Sequence, residues 1–269
     1  MKRALASLAV VAVALFAVAL PASAQSEGAR IHLIHGIPGV DVDVLVDGAP
    51  VIEGFSFEDT QDLADFAGQT LVGLQVTAAG TTDVVIDAGD FDVPASGNYT
   101  VIANLDADGN PALSVFENDT SAVAAGSGRL VVRHTAAAPA VDVKANGEVA
   151  FAALTNPNEA TADLPAGTIS AEVVPAGADE PVVIGPADLP VTEGSSLIVY
   201  AVGSLDDETI TVLTETIDGL GGTPSAVNAG SSPVSSSDNG STTLVIAALV
   251  ALAALSVTGF TARRVVAQR

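Results

Sequence analysis

One acidic stretch of the chain has the residue types and the spacing of a calcium-binding loop. The EF-hand pattern places oxygen ligands at positions 1, 3, 5 and 12, which here are Asp106, Asp108, Asn110 and Glu117. Position 6 of that pattern needs a glycine for its sharp turn, but the chain has Pro111 there, between segments with the composition of strands. Asp-Gly followed by Asn-Pro is also typical of a hairpin turn. We therefore favour a structural hairpin and keep the four residues as the less favoured calcium candidates.

Two histidines occupy matching places in the two halves of the chain. His35 and His134 each lie eight residues before an aspartate, Asp43 or Asp142. An imidazole paired with a carboxylate can bind a metal or act as a general base. The alternative is a histidine at a strand end that hydrogen-bonds its own loop or the neighbouring strand. Because both halves hold the same residue, we favour the structural role.

The composition excludes several classes of function. The 269 residues include 32 Asp and Glu against 9 Lys and Arg, a formal charge of −23, and so acidic a surface repels the phosphates of nucleic acids. The chain has no cysteine, which excludes disulfides, thiolate metal sites and a cysteine nucleophile. It also has no G-x-S-x-G motif and no glycine-rich phosphate loop. We therefore expect a protein without cofactor or catalytic residues.

The middle of the chain contains an internal repeat. Arg-Ile-His-Leu-Ile-His at residue 30 corresponds to Arg-Leu-Val-Val-Arg-His at residue 129, an offset of 99 residues (129 − 30). The same offset relates the two Val-Asp-Val segments and the glycines that follow them. The repeated motif thus consists of Arg30, His35, Asp43, Gly48, Arg129, His134, Asp142 and Gly147. A period this long is too large for a solenoid and predicts two copies of one small domain.

Each copy has the pattern of a β-sandwich. Apolar and polar residues alternate in Val-Asp-Val-Leu-Val-Asp from residue 42, which indicates a strand with one buried face. In the first copy we predict seven strands: Ile31–His35, Val42–Asp47, Val51–Phe57, Leu71–Ala78, Asp83–Asp87, Tyr99–Leu105 and Ala112–Glu117. Seven short strands in this length favour an all-β chain with two tandem immunoglobulin-like β-sandwich domains, over residues 29–122 and 128–218.

The opening motif of each copy, an arginine, a histidine, an apolar-Asp-Val strand and a glycine turn, resembles a known family. It is similar to the bacterial family catalogued as domain of unknown function 4397, whose members begin with such a strand and a proline-containing loop. The resemblance rests on residues 30–48 and 129–147, covers residues 29–219 as two copies, and extends to the acidic segment 116–120. It implies a β fold and a secreted or surface location. The family has no established activity, so it implies no catalytic residues.

Both ends of the chain carry apolar runs. Residues 1–24 have the basic start, the apolar run and the Ala-Ser-Ala site of a secretory signal peptide, with an uncleaved membrane helix as the alternative. Residues 219–243 are rich in Gly, Ser and Pro and predict a flexible linker. Residues 244–261 are uncharged and predict one C-terminal transmembrane helix, with a buried core helix as the alternative. The tail, 262–269, is basic and therefore expected to be cytoplasmic.

These features together predict a single-pass cell-membrane protein whose N-terminal region is extracellular. We expect a non-enzymatic role in adhesion or envelope-associated binding, with the membrane and an extracellular protein or envelope polymer as partners. A divalent-cation-dependent surface binding protein is the alternative. An envelope hydrolase with paired carboxylates is less favoured, because its cleft needs aromatic residues and these make up 4% of the chain. The acidity also predicts that stability rises with salt.

Overall fold

The computed structural model describes residues 28–221, and apart from one turn of 3-10 helix at Ala64–Phe66 the regular elements in this range are strands. Strands form where buried and exposed side chains alternate: in β2, Val42 and Val44 are buried on either side of the less buried Asp43. The first eight strands are β1 (Arg30–His35), β2 (Val42–Val46), β3 (Ala49–Phe55), β4 (Thr60–Asp62), β5 (Thr70–Ala78), β6 (Val84–Asp92), β7 (Asn98–Leu105) and β8 (Pro111–Glu117).

These eight strands form two four-stranded sheets that pack as a first sandwich. The strand orders are β4-β1-β7-β8 and β3-β2-β5-β6. Neighbouring strands are antiparallel except β1 and β7, which are parallel. Leu33 and Val101 of one sheet and Val44 and Val76 of the other are buried in one apolar core between them.

The next eight strands form a second sandwich with the same topology. They are β9 (Ser127–His134), β10 (Val141–Ala145), β11 (Glu148–Leu154), β12 (Glu159–Pro165), β13 (Gly167–Pro175), β14 (Ile184–Val191), β15 (Ser196–Val202) and β16 (Thr211–Ile217). The orders are β12-β9-β15-β16 and β11-β10-β13-β14, and β9 and β15 are again the parallel pair. Its core includes Leu130, Val143 and Val199.

The two sandwiches pack against each other through the sheets that contain the parallel pairs. The faces of these inner sheets that point away from their own cores bury Ile34, Ile102 and Phe116 of the first sandwich against Ile198 and other residues of the second, including Val131 and Val202. The four sheets therefore form four layers, with an apolar layer between each neighbouring pair.

The all-β prediction and its sandwich architecture are confirmed, while the strand count was wrong by one. The first sandwich has eight strands where seven were predicted, since the prediction missed the three-residue β4, which is fully exposed and has no apolar alternation. Strand β6 continues beyond the predicted end to Asp92. The predicted linker begins inside the folded body, since Leu220 is buried and hydrogen-bonds the backbone of Val123 and Gly194.

The predicted signal peptide, transmembrane helix and basic tail lie outside the described residues, as does the linker beyond residue 221. Within residues 28–221, no helical segment reaches the length and apolarity that a membrane crossing requires.

Candidate functional site

The two repeated histidines close the loops that follow β1 and β9. His35 is fully buried, its Nε2 lies 2.8 Å from the carbonyl oxygen of Val40, and its Nδ1 accepts a hydrogen bond from the backbone N–H of Ile37 at 3.2 Å. Because a carbonyl only accepts and an amide only donates, His35 is neutral with its proton on Nε2. The ring also stacks on Phe55, with centroids 5.7 Å apart. Its contacts are therefore those of a loop closure, with both nitrogens occupied.

His134 makes the matching bond with one difference. Its Nε2 lies 3.0 Å from the carbonyl oxygen of Pro139, and its Nδ1 is buried without a hydrogen-bond partner among the described residues. Burial lowers the pKa of both His35 and His134, since it disfavours the charged imidazolium. Both rings are therefore held neutral in the folded chain.

Each repeated aspartate joins a neighbouring strand to a loop. The two carboxylate oxygens of Asp43 accept backbone N–H bonds from Gly54 at 2.7 Å and Gly80 at 2.8 Å. Those of Asp142 accept the bonds of Ala153 at 2.7 Å and Gly177 at 2.9 Å. These amides lower the pKa of each aspartate, because they stabilise the carboxylate. The structure thus separates each aspartate from the histidine eight residues before it, and neither pair forms a catalytic dyad.

The remaining motif residues lie in a turn and at strand starts. Gly48 and Gly147 follow Asp47 and Asn146, and all four have positive φ, between +48° and +84°. This is the type I′ turn that matches the twist of a two-residue hairpin, and Asp-Gly and Asn-Gly are its preferred sequences.

Arg129, at the start of β9, pairs with Asp163 at 2.9 Å and with Asp119 at 2.9 Å, and it donates to the backbone carbonyl of Ser121. It thereby holds the connection between the sandwiches. Arg30 is exposed at the start of β1, where its backbone N–H donates to the carbonyl of Gly97.

The calcium candidates are not brought together. Asp106 lies in the β7–β8 hairpin, and its Oδ1 accepts the backbone N–H bonds of Asp108 at 2.9 Å and Asn110 at 2.8 Å. Glu117 lies at the opposite end of β8, six residues from Pro111, or about 20 Å along a strand. Among residues 28–221, no group of three or more His, Asp or Glu side chains is arranged to hold a metal. Asp106 instead organises the turn, and these amides lower its pKa.

A buried polar cluster between the sandwiches is the site that the sequence did not indicate. We call it the inter-sandwich network, and it consists of His32, Thr100, Phe116, Asn118, Arg133, Glu159, Tyr200 and Glu215. Arg133 is 1% exposed, and its guanidinium donates to Glu159, Tyr200 and Asn118, each at 2.7 Å. Its Cζ lies 4.3 Å from the ring centroid of Phe116, close enough for a cation–π contact.

Glu215 is the second carboxylate of the network, after Glu159. Its Oε2 accepts the hydroxyl hydrogens of Tyr200 at 2.7 Å and Thr100 at 2.9 Å. Its Oε1 lies 2.9 Å from His32 Nδ1. Burial raises the pKa of Tyr200 well above its ordinary value, so this hydroxyl stays protonated and able to donate. The first sandwich contributes the threonine and the histidine, and the second contributes the carboxylate.

The network lies on matching positions of two similar faces. The parallel pairs align Ile34 with Ile102 in one inner sheet and Arg133 with Tyr200 in the other. The antiparallel neighbours align Thr100 with Phe116, and Ile198 with Glu215. An apolar set, Ile34, Ile102 and Phe116, therefore faces a polar set, Arg133, Tyr200 and Glu215. Each polar side chain of the second set is hydrogen-bonded, so the network stabilises one mutual orientation of the sandwiches.

The comparison with known families matches residues 29–144 to a family described as "Domain of unknown function (DUF4397)". The matched range spans the first sandwich and reaches into β10 of the second. The match supports the resemblance over this part of the chain, and the family's description carries no activity. No curated protein matches the chain.

Proposed function

We propose that this chain is a non-enzymatic, membrane-anchored surface protein that displays two immunoglobulin-like sandwiches as one rigid body. Its exposed loops and sheet edges bind an extracellular protein or an envelope polymer. The immunoglobulin-like description refers to the architecture, two packed sheets of short and mainly antiparallel strands, and not to the strand order.

The proposal rests on one observation: the side chains that could act as acids, bases or ligands are hydrogen-bonded within the folded body. His35, Asp43, Arg133 and Glu215 all have their hydrogen-bonding partners within the folded body. A hydrolase needs carboxylates or a nucleophile directed at a substrate, whereas these groups bind loops or join the sandwiches. Rigidity is what this arrangement provides, and rigidity suits a module that presents surfaces.

Only some surfaces of the body are available to a partner. The inner sheets cover each other at the inter-sandwich network, which leaves the outer sheets, the sheet edges and the loops. The start and the end of the described chain lie together, because Arg30, Asn98 and Leu220 border one groove of about 330 Å³. His35 and Leu105 end their strands at the other end. The exposed β7–β8 hairpin at that other end is available to a partner.

The absence of cysteine allows a direct test of this topology. We expect full-length chains with Asp108→Cys, in the exposed β7–β8 hairpin, to react with a membrane-impermeant maleimide on intact cells. Chains with Gln268→Cys, in the basic tail, are expected to react only after lysis. Equal labelling of both variants on intact cells, or labelling of neither, would contradict the proposed orientation.

Binding is tested with the same cells. Those that express the full chain are expected to retain extracellular protein or envelope polymer better than cells with a chain that ends at residue 243. The retained polymer should stay intact. Its cleavage by the purified full-length chain would replace the proposal with an enzymatic function.

A further inference from the structure

The open side of the first sandwich carries a cleft, lined by apolar side chains together with Asp87, that no feature described above explains. It lies between β6 and β8, the outermost strands on this side of their two sheets, and we call it the edge cleft. Its volume is about 450 Å³, and the apolar side chains that line it include Ile86, Ala88, Phe91 and Leu113. A cleft of this size falls within the range of ligand sites.

The strands that border the edge cleft also expose large apolar side chains. Val84 on β6 is 49% exposed, and Val115 on β8 is 45% exposed. Val115 lies two residues after Leu113 and therefore on the same face of its strand. The apolar lining thus continues from Leu113 to Val115 at the exposed edge, where an added strand would cover it.

The backbone of β6 is available to add a strand. Within the described residues β6 pairs with β5 alone. The outer strand β14 of the second sandwich contains Pro186 and Pro190, which lack the N–H that strand addition needs. Strand β6 contains no proline. The open edge of β6 that precedes Gly89 (φ +62°) is itself irregular, because the ladder with β5 shifts register between Val84 and Ile86 and again between Asp87 and Gly89.

The charge around the edge cleft selects the partner. Strand β6 carries Asp87, Asp90 and Asp92, and neither β6 nor β8 contains a lysine or arginine. Each of the three aspartates accepts a hydrogen bond inside the sheet, but those bonds leave their negative charges in place. A segment that lies along β6 must therefore be basic to gain from this field.

We propose that the edge cleft binds an extended, basic peptide segment of an extracellular protein. The segment adds as a strand to β6 along Val84–Ala88, and its alternate apolar side chains contact Phe91 and Leu113. Backbone hydrogen bonds provide affinity in this mode, and the cleft selects the side chains. This inference rests on the proposed surface-binding function and names the partner class and the binding face.

The test uses the purified full-length chain in detergent and a labelled probe peptide of alternating lysine and valine. Fluorescence anisotropy should show saturable binding, at least tenfold weaker for a peptide with serine in place of valine. The double variant Val84→Lys/Val115→Lys should bind the lysine-valine peptide at least tenfold more weakly than the wild type. The matched control, Val72→Lys/Val149→Lys, adds the same charge at two valines that are each 51% exposed and lie on other strands, and it should bind nearly as the wild type does.

Two outcomes would overturn the proposal. Equal weakening by both double variants would mean that overall charge alone attracts the peptide. Equal affinity for the valine and serine peptides would mean that the cleft makes no apolar contact. Both readouts use purified protein, so they are independent of the labelling on cells that tests the surface location. Unchanged melting temperatures of the variants would establish that loss of binding is not loss of fold.

Discussion

The substitution Arg133→Ala tests whether the inter-sandwich network holds the body together. It removes three charge-assisted hydrogen bonds and the contact of the guanidinium with Phe116. The bond to Glu159 contributes least, because that carboxylate is 36% exposed and is screened by water. The bonds to Tyr200 and Asn118 are buried, and the truncation leaves the amide oxygen of Asn118 without its donor. We expect a loss of about 3–5 kcal/mol in the free energy of unfolding.

A triple variant separates the charge from the packing. Arg133→Ile/Tyr200→Ile/Glu215→Phe introduces the residues that the first sandwich holds at the matching positions. It removes the two largely buried charges, Arg133 and Glu215, at once and leaves Glu159, which is 36% exposed, as the remaining charge, so replacement by apolar residues should be close to neutral. We expect the triple variant to lie within about 2 kcal/mol of the wild type, and therefore to be more stable than Arg133→Ala alone.

Urea unfolding followed by far-UV circular dichroism measures these differences. Arg30→Ala is the control, since it removes the same charge from an exposed position and should cost less than about 1 kcal/mol. The reasoning is refuted if Arg133→Ala costs no more than this control. It is equally refuted if the triple variant loses as much stability as the single one, because the cost would then come from lost packing.

Three further predictions follow from the site and the charge. Burial lowers the pKa of His35 and His134 in the folded chain, so the unfolded chain binds more protons. The free energy of unfolding should therefore fall as the pH drops below about 6.5. In urea titrations, the free energy of unfolding of His35→Phe/His134→Phe should depend less on pH in this range. Asp106→Ala should lower the melting temperature equally in calcium and in chelator, because the carboxylate binds its own turn. A lower melting temperature in calcium alone would instead support a calcium site. The net charge of −23 predicts a melting temperature that rises from low to high NaCl, and a flat or falling curve would contradict it.

The features that the sequence allowed us to predict are local. Alternation marks β2 because neighbouring side chains of a strand point to opposite faces, so a pattern of five residues suffices. The predicted Asp-Gly-Asn-Pro hairpin between β7 and β8 is equally local, because the turn residues themselves set its conformation, with Gly109 at a φ of +86°. Strand β4 was not predicted, because its three residues are polar and exposed and show no alternation. They form a strand only because β1 is there to pair with.

The calcium pattern shows where spacing misleads. Asp106 and Glu117 are eleven residues apart, a distance that a helix–loop–helix brings to one ion. Here Pro111 starts a strand, and a strand carries its two ends apart instead of back together. The same residue types therefore form a turn at one end and an exposed strand terminus at the other.

Composition and periodicity by themselves determined the acidic character, the all-β class and the hairpin turns, because each depends on charges or on residues close together in the chain. Only the tertiary structure decided that Arg133 and Tyr200 meet Asn118 and Phe116. These residues lie in or directly after strands of separate sandwiches, and the alternation of a strand does not indicate what covers its second face. That contact exists because two whole sheets bury each other, which is a property of the assembled body.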